Sequence, residues 1–365
     1  MIRKILLFIC LTYTIIWFAI AYTIKSNVVS TIHNSETDNI KISYSQIKFS
    51  GFPSRLQISL VEPKIKFIDH VDFKEISAEK MTFLFDFSFK KANLILGQTI
   101  KQQENFGGKL IEYSVQSKED IAALVKFNKP IYRLSSGDNL KSIVKLLQVN
   151  NKLLSIIQED KEIFNISDLT FLINKAKSED GEDIALQLRL SYAAEENFLN
   201  FKTAQLDLAT LINIATDQGK DINYIKNLNI DRLVFSCDDN SQIALIGFLQ
   251  FFENNLPKGK LFFELTNHHD IIDKLIPNNL LLPKKMIKAI IEKVANSSVS
   301  EVVKTDDSEV ANYEKVKFDI EFSDNGIHIG SINLLEFKLE DSKVDTEEPL
   351  KNDKADVQQE EIPEN

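Results

Sequence analysis

From Ile5 to Ile24 the chain carries no charged residue, with Arg3 and Lys4 before the run and Lys25 after it. A helix rises about 1.5 Å per residue and a bilayer core is about 30 Å thick, so a run of this length is enough to cross it. The pattern predicts a transmembrane anchor over residues 1–25. A cleaved secretory signal competes, because Ala19-Ile20-Ala21 has the small-x-small form of a cleavage site. The apolar run continues past that site, and Tyr13, Trp17 and Tyr22 suit the outer half and edge of a spanning helix. Both points favour the anchor. Under either reading the positive start stays in the cytoplasm and the rest of the chain is exported. The expected localisation is the inner membrane, single-pass, with the bulk of the chain periplasmic.

Beyond a polar stretch at 26–39, read as a linker or a continuation of the helix, the pattern changes to period two. Ile40, Ile42 and Tyr44 alternate with polar residues, and Ile47 and Phe49 resume after a one-residue shift that predicts a bulge. Gly51-Phe52-Pro53 reads as a turn, with Leu56, Ile58 and Leu60 on the returning strand. The clearest strand is Met81–Phe89, in which Met81, Phe83, Phe85, Phe87 and Phe89 share one face. Leu94–Gln98, Leu110–Val115 and Ile121–Phe127 follow as strands. Asp138–Gln158 favours a helix capped by Asp138, although Asn150-Asn151 also suits a turn between two strands.

The second half holds a weak internal repeat. Asn165–Phe171 resembles Asn229–Phe235, and each is followed after a polar turn by Ile-Ala-Leu, at Ile184–Leu186 and Ile243–Leu245. The implied unit is an antiparallel hairpin followed by a short helix, around Asp207–Thr216 in the first copy and His269–Leu275 in the second. Leu282–Ala295 reads as an amphipathic helix. Val316–Phe322 and Gly326–Ile332 read as a hairpin around Ser323-Asp324-Asn325-Gly326, where Asn-Gly suits positive φ.

The net charge of −10 alters this picture little, because the acids concentrate at the end. From Leu339 onward ten acids face three lysines, which predicts a disordered acidic tail over 339–365 and leaves the body nearly neutral. No basic patch suited to nucleic acid stands out. There are two cysteines, Cys10 inside the apolar run and Cys237 outside it, so the exported part has no internal disulfide. Cys237 is expected as a small buried apolar residue.

The sequence lacks the spacings of the common catalytic motifs, and its 11 glycines in 365 residues disfavour phosphate cradles. His268-His269, with Asp270 and Asp273 nearby, reads as a solvated helix start, since adjacent side chains diverge and do not readily share a metal. Asp238-Asp239 and Asp306-Asp307 read as solvated loops. The expectation is a non-enzyme with no catalytic residue, cofactor or metal. Phe83, Phe85, Phe87 and Phe89 are either the closed face of a sheet or the lining of an apolar groove, which demand the same residues.

Several segments resemble an uncharacterised alphaproteobacterial family known as domain of unknown function 2125. They are the basic-apolar start with Trp17, the Gly51-Phe52-Pro53 turn with Arg55, Gly259-Lys260-Leu261 leading to Leu265-Thr266-Asn267, and Asp324–Ile332. The chain departs from that pattern at Ser54 and at Asn325. The resemblance implies an exported, membrane-anchored protein and supplies no catalytic residue. At fold level the chain also resembles AsmA-like envelope proteins, which are associated with moving or organising lipids.

The expected fold is α+β: an N-terminal transmembrane helix, then a long curved antiparallel sheet with helices packed on one face, occupying 40–338 as one periplasmic domain. The expected partners are the inner membrane and either lipid acyl chains or an envelope protein. A structural adaptor is the alternative function.

Overall fold

The computed structural model describes residues 2–51, 55–69, 72–134, 138, 140–178, 181–194, 201–217, 222–238, 241–252, 257–267, 284–297, 315–330 and 332–333. One long helix, α1 (Ile2–Asn34), precedes a single antiparallel sheet. Ser26–Asn34, for which the sequence allowed a linker, is the end of α1.

The sheet is a meander whose first strands are each interrupted near the middle. They are β1 (Ile40–Ser43) with β2 (Gln46–Ser50), β3 (Leu56–Val61) with β4 (Lys64–Asp69), and β5 (Asp72–Ala78) with β6 (Lys80–Phe85). Then come β7 (Lys91–Ile95) with β8 (Thr99–Phe106) and β9 (Lys109–Gln116) with β10 (Ala122–Phe127). One half of each pair joins the arm β2-β3-β6-β7-β10, and the other half joins β1-β4-β5-β8-β9. The arms meet on β11 (Val144–Gln158), which pairs with β10 near its start and β9 near its end. The interruptions therefore lie side by side as a seam. Their residues suit a break: Glu62 and Gly97 have positive φ, and Pro63 lacks an N–H to donate.

From β11 the strands become long and the meander continues through β12 (Lys161–Lys177), β13 (Gly181–Ala193), β14 (Thr203–Asp217), β15 (Ile222–Cys237), β16 (Ser241–Gln250), β17 (Lys258–Thr266) and β18 (Lys315–Ser323). It closes with β19 (Gly326–Ile329) and β20 (Ile332–Asn333). Register shifts at Ser167/Thr170 and Ile230/Leu233 carry the irregularity onward, and Asp168 has φ +53°. Both shifts fall inside the repeated segments Asn165–Phe171 and Asn229–Phe235. Each segment leads into the hairpin partner that carries Ile-Ala-Leu, on β13 and β16.

Two helices expected from sequence are strands. Beyond the single turn α2 (Leu140–Ile143), Asp138–Gln158 forms β11, and Asp207–Thr216 lies within β14. Both strands are central, so apolar side chains occur on both faces and the period-two signal is blurred. Pairing on two sides satisfies the whole backbone, and this tertiary gain outweighs local preference. The amphipathic helix is present as α3 (Lys284–Ser297), and the last hairpin turns at Asp324-Asn325 as expected, with Gly326 at φ +117°. The second repeat helix at His269–Leu275, the Asp306-Asp307 pair and the acidic tail lie outside the described residues.

Helices ranged over one face are not seen. Among the described residues the two helices longer than a turn sit at opposite ends of the strand order. The C-terminal half of α1 packs on β3, β6, β7 and β10 around Ile24, Ile58 and Phe85. The α3 residues Ile290 and Val294 pack on Leu265 and Val316 of β17 and β18.

Candidate functional site

The site begins where α1 meets the sheet. Ile24 is fully buried and Ala21 nearly so, in one core with Leu56, Ile58, Phe85, Val125 and Phe127. Asn27 fixes the helix by donating its side-chain amide to the carbonyls of Ile131 and Tyr132, at 3.5 and 3.3 Å. Asn34 donates to the Asp138 carbonyl at 3.2 Å. Just beyond the helix, Glu36 accepts from the Ile42 amide at 3.1 Å, and that bond with the neighbouring His33 holds its carboxyl below the usual range.

Between α1 and the seam lies a cavity of about 390 Å³. Val28, Thr31 and Ile32 of the helix line it on one side, and Leu60, Met81, Phe83, Leu94, Val144 and Leu147 of the sheet on the other. Among the described residues no charged side chain lines it. Its size falls within the ~300–1,000 Å³ of small-molecule sites, but it lacks the few polar groups that usually orient such ligands. What fits here chemically is hydrocarbon.

The apolar surface continues along the meander. Val149, Phe171, Leu188, Leu208, Leu233, Leu245, Phe263 and Phe318 are successive cross-strand neighbours on β11 through β18. All are only half-buried. A second row alongside runs Leu147, Ile173, Leu186, Thr210, Ile230, Gly247, Leu261 and Ile320. Leu147 also lines the cavity, so cavity and rows share one surface. Gly247 has φ +150°, and a Cβ there would meet the Lys260 carbonyl oxygen at 2.2 Å, so the second row is flat at that point. The opposite face carries ion pairs: Asp207 with Arg189 and Arg232, each at 2.9 Å, and Glu264 with Lys315 at 2.7 Å.

Strand β6 ends at Phe85, so the expected stripe is divided. Met81, Phe83 and Phe85 share the cavity face. Phe87 and Phe89 lie in the turn that follows: Phe87 is 76% exposed, and Phe89 packs edge-on against Tyr132 at 5.8 Å with a positive φ. At the expected Gly51-Phe52-Pro53 turn, Gly51 has φ +96° and accepts from the Arg55 amide at 2.9 Å, while Phe52 and Pro53 lie outside the described residues.

Other candidates are structural. Cys237 is buried with Tyr192, Phe201 and Ala204. Asp238 accepts from the backbone amides of Lys202 and Thr203, both at 2.7 Å, and so ties the start of β14 to the end of β15. Asp239 and His268-His269 lie outside the described residues. Tyr192 is buried and its hydroxyl finds no partner among the described residues; burial, assisted by Asp238, raises its pKa. Among the described residues no three His, Cys, Asp or Glu side chains gather as a metal site.

The half-exposed rows of β11 to β18 were the feature that sequence reading missed. Each strand contributes only two ordinary residues, mostly aliphatic or Phe, and register alone aligns them. Comparison with protein-family models, with curated proteins and with solved structures finds no match.

Proposed function

We propose that this chain is a non-catalytic envelope protein, anchored in the inner membrane by α1, that holds lipid acyl chains on the apolar face of its sheet. The observation that carries this reading is the pair of largely apolar rows crossing β11 to β18 and meeting, at Leu147, a cavity closed by the anchor helix and lined by apolar residues and Thr31. A sheet bent along its seam would turn that face into a trough. One helix in the described residues is long and apolar enough to cross a membrane. Its orientation, with the bulk of the chain in the periplasm, follows from Arg3 and Lys4. Packing of Trp17, Ile20 and Ala21 on the sheet core supports an uncleaved anchor, since cleavage after Ala21 would strip part of that core. The resemblances to domain of unknown function 2125 and to AsmA-like proteins agree with this proposal.

The test is native mass spectrometry of the full chain, extracted from membranes, before and after organic extraction. Lipid adducts that disappear on extraction are expected. An apo mass from the start overturns the reading. The full chain is needed because residues 17–32 complete the core.

The adaptor reading draws on one observation. Ile246, Phe248 and Phe262 are all exposed on the face opposite the rows, with Ile246 directly across from Phe262. Crosslinking in cells from Phe262, giving one defined envelope partner, is the outcome that favours it.

A further inference from the structure

The membrane run and the docked part of α1 overlap. Ile5–Ile24 has the length a bilayer core requires, about 30 Å. Yet Trp17, Ile20, Ala21 and Ile24 pack on the sheet. Held wholly outside the hydrocarbon, the sheet would leave only Ile5–Ile16 to span it, about 18 Å of helix. The stretch from Trp17 to Ile24, about 12 Å of rise, must serve both roles.

We infer that the turn between β6 and β7, led by Phe87, enters the outer leaflet beside α1 and opens the apolar sheet face to lipid. The inference rests on α1 spanning the membrane. Phe87, Phe89 and Phe85 share a cleft of about 110 Å³ with Tyr13, Ile16, Trp17 and Ile20, so the turn lies level with the membrane run. The surrounding surface of α1 is apolar and open: Ile15, Ile16, Phe18 and Tyr22 are all more than half exposed. Phe87, at 76% exposure, continues that surface.

At its base the turn meets the bilayer's stricter demand, that backbone polar groups find partners within the protein, while the backbone of Phe87 and Ser88 at its tip stays at the hydrated headgroup level. The Asp86 amide donates to the Lys91 carbonyl and the Phe89 amide to the Asp86 carbonyl, both at 3.1 Å. The Lys90 amide donates to Ser88 Oγ at 3.2 Å. The carbonyls of Phe89 and Lys90 accept from Ile131 and Phe127, at 3.0 and 2.8 Å. Ser88 Oγ lies 2.8 and 2.9 Å from the two Asp86 carboxylate oxygens. Exposed Lys90, Lys91 and Arg55 reach back towards anionic headgroups. A Phe tip flanked by exposed Lys90, Lys91 and Arg55, and by exposed Asp86 that accepts from Ser88, fits the headgroup–acyl boundary.

Trp17 is the only tryptophan in the chain, which makes the test direct. The full chain is reconstituted in vesicles of phosphatidylglycerol and phosphatidylcholine with brominated acyl chains, which quench tryptophan on contact. The unmodified protein reports on α1. The double variant Trp17→Phe, Phe87→Trp, checked for an unchanged circular dichroism spectrum, reports on the turn. Quenching of both by a similar fraction is expected. Quenching of the unmodified protein alone overturns the insertion and leaves the anchor standing. Quenching of neither overturns the anchor and the insertion together. If the double variant misfolds, Ser88→Cys in a Cys10→Ser, Cys237→Ala background, labelled with an environment-sensitive dye, gives the same readout. A water-like emission from that dye overturns the insertion.

Discussion

Ile24, the last residue of the charge-free run, is fully buried and shares one core with Phe85. Helix α1 is thus part of the sheet's packing and not an appendage to a finished domain. Ile24→Ala should destabilise the full chain by about 2–5 kcal/mol, through lost burial and the cavity left behind. Ile15→Ala, on the exposed side of the same helix, should change stability by no more than about 0.5 kcal/mol. Denaturant unfolding in detergent compares the two.

The two faces of the sheet make opposite predictions for lipid. Leu233→Asp places a carboxylate in the half-buried apolar row and should reduce co-purifying lipid several-fold. Ile246→Asp, on the opposite and exposed face, should leave the lipid signal unchanged. Quantitative mass spectrometry of organic extracts reads both. Equal losses would argue against the trough.

Gly247→Ala should cost more than about 1 kcal/mol, although it adds only a methyl group. Its φ of +150° excludes an ordinary side chain, and the new Cβ would meet the Lys260 carbonyl at 2.2 Å. Thermal unfolding measures the loss. A neutral result would mean that β16 and β17 are farther apart than described.

Asp207 bridges Arg189 and Arg232 across three strands, but both arginines are largely exposed. Water and salt screen such pairs, so each should contribute about 0–1 kcal/mol. A double-mutant cycle with Asp207→Asn and Arg232→Gln, at low and high salt, should show a small coupling that shrinks as salt rises.

Glu264 predicts a pH dependence. The hydrogen bond from Lys315 lowers its pKa below the usual glutamate value, with Lys315 and Lys317 adding attraction and burial opposing them. A depressed folded pKa means that the contribution is complete above the unfolded value, about 4.3, and fades as pH falls through the folded one. Glu264→Gln should flatten that part of the acid limb in a pH series of unfolding midpoints. Because Glu264 is one-third exposed, the effect should be modest.

Individual elements were legible where one face of the chain met water. The β1–β2 break, the β18–β19 hairpin and α3 all show clean periodicity, and their local chemistry agrees with their final state. Strands β11 and β14 were misread as helices because apolar residues occur on both of their faces, Leu211 remaining exposed, so Leu146 and Leu147 or Leu211 and Ile212 carry no period-two signal. The repeat at Asn165 and Asn229 was visible as sequence, but its meaning as a pair of register shifts was not.

By itself the sequence determined that an apolar span of bilayer length precedes a strand-rich body, because length, charge and alternation are local properties. Tertiary structure alone decided three things. It divided the Phe stripe, burying Phe85 and exposing Phe87, because β6 ends between them. It aligned scattered aliphatic residues into rows, because cross-strand register depends on partners far along the chain. It placed Trp17 to Ile24 against the sheet, so part of the apolar run belongs to a protein core, because packing partners come from strands far along the chain.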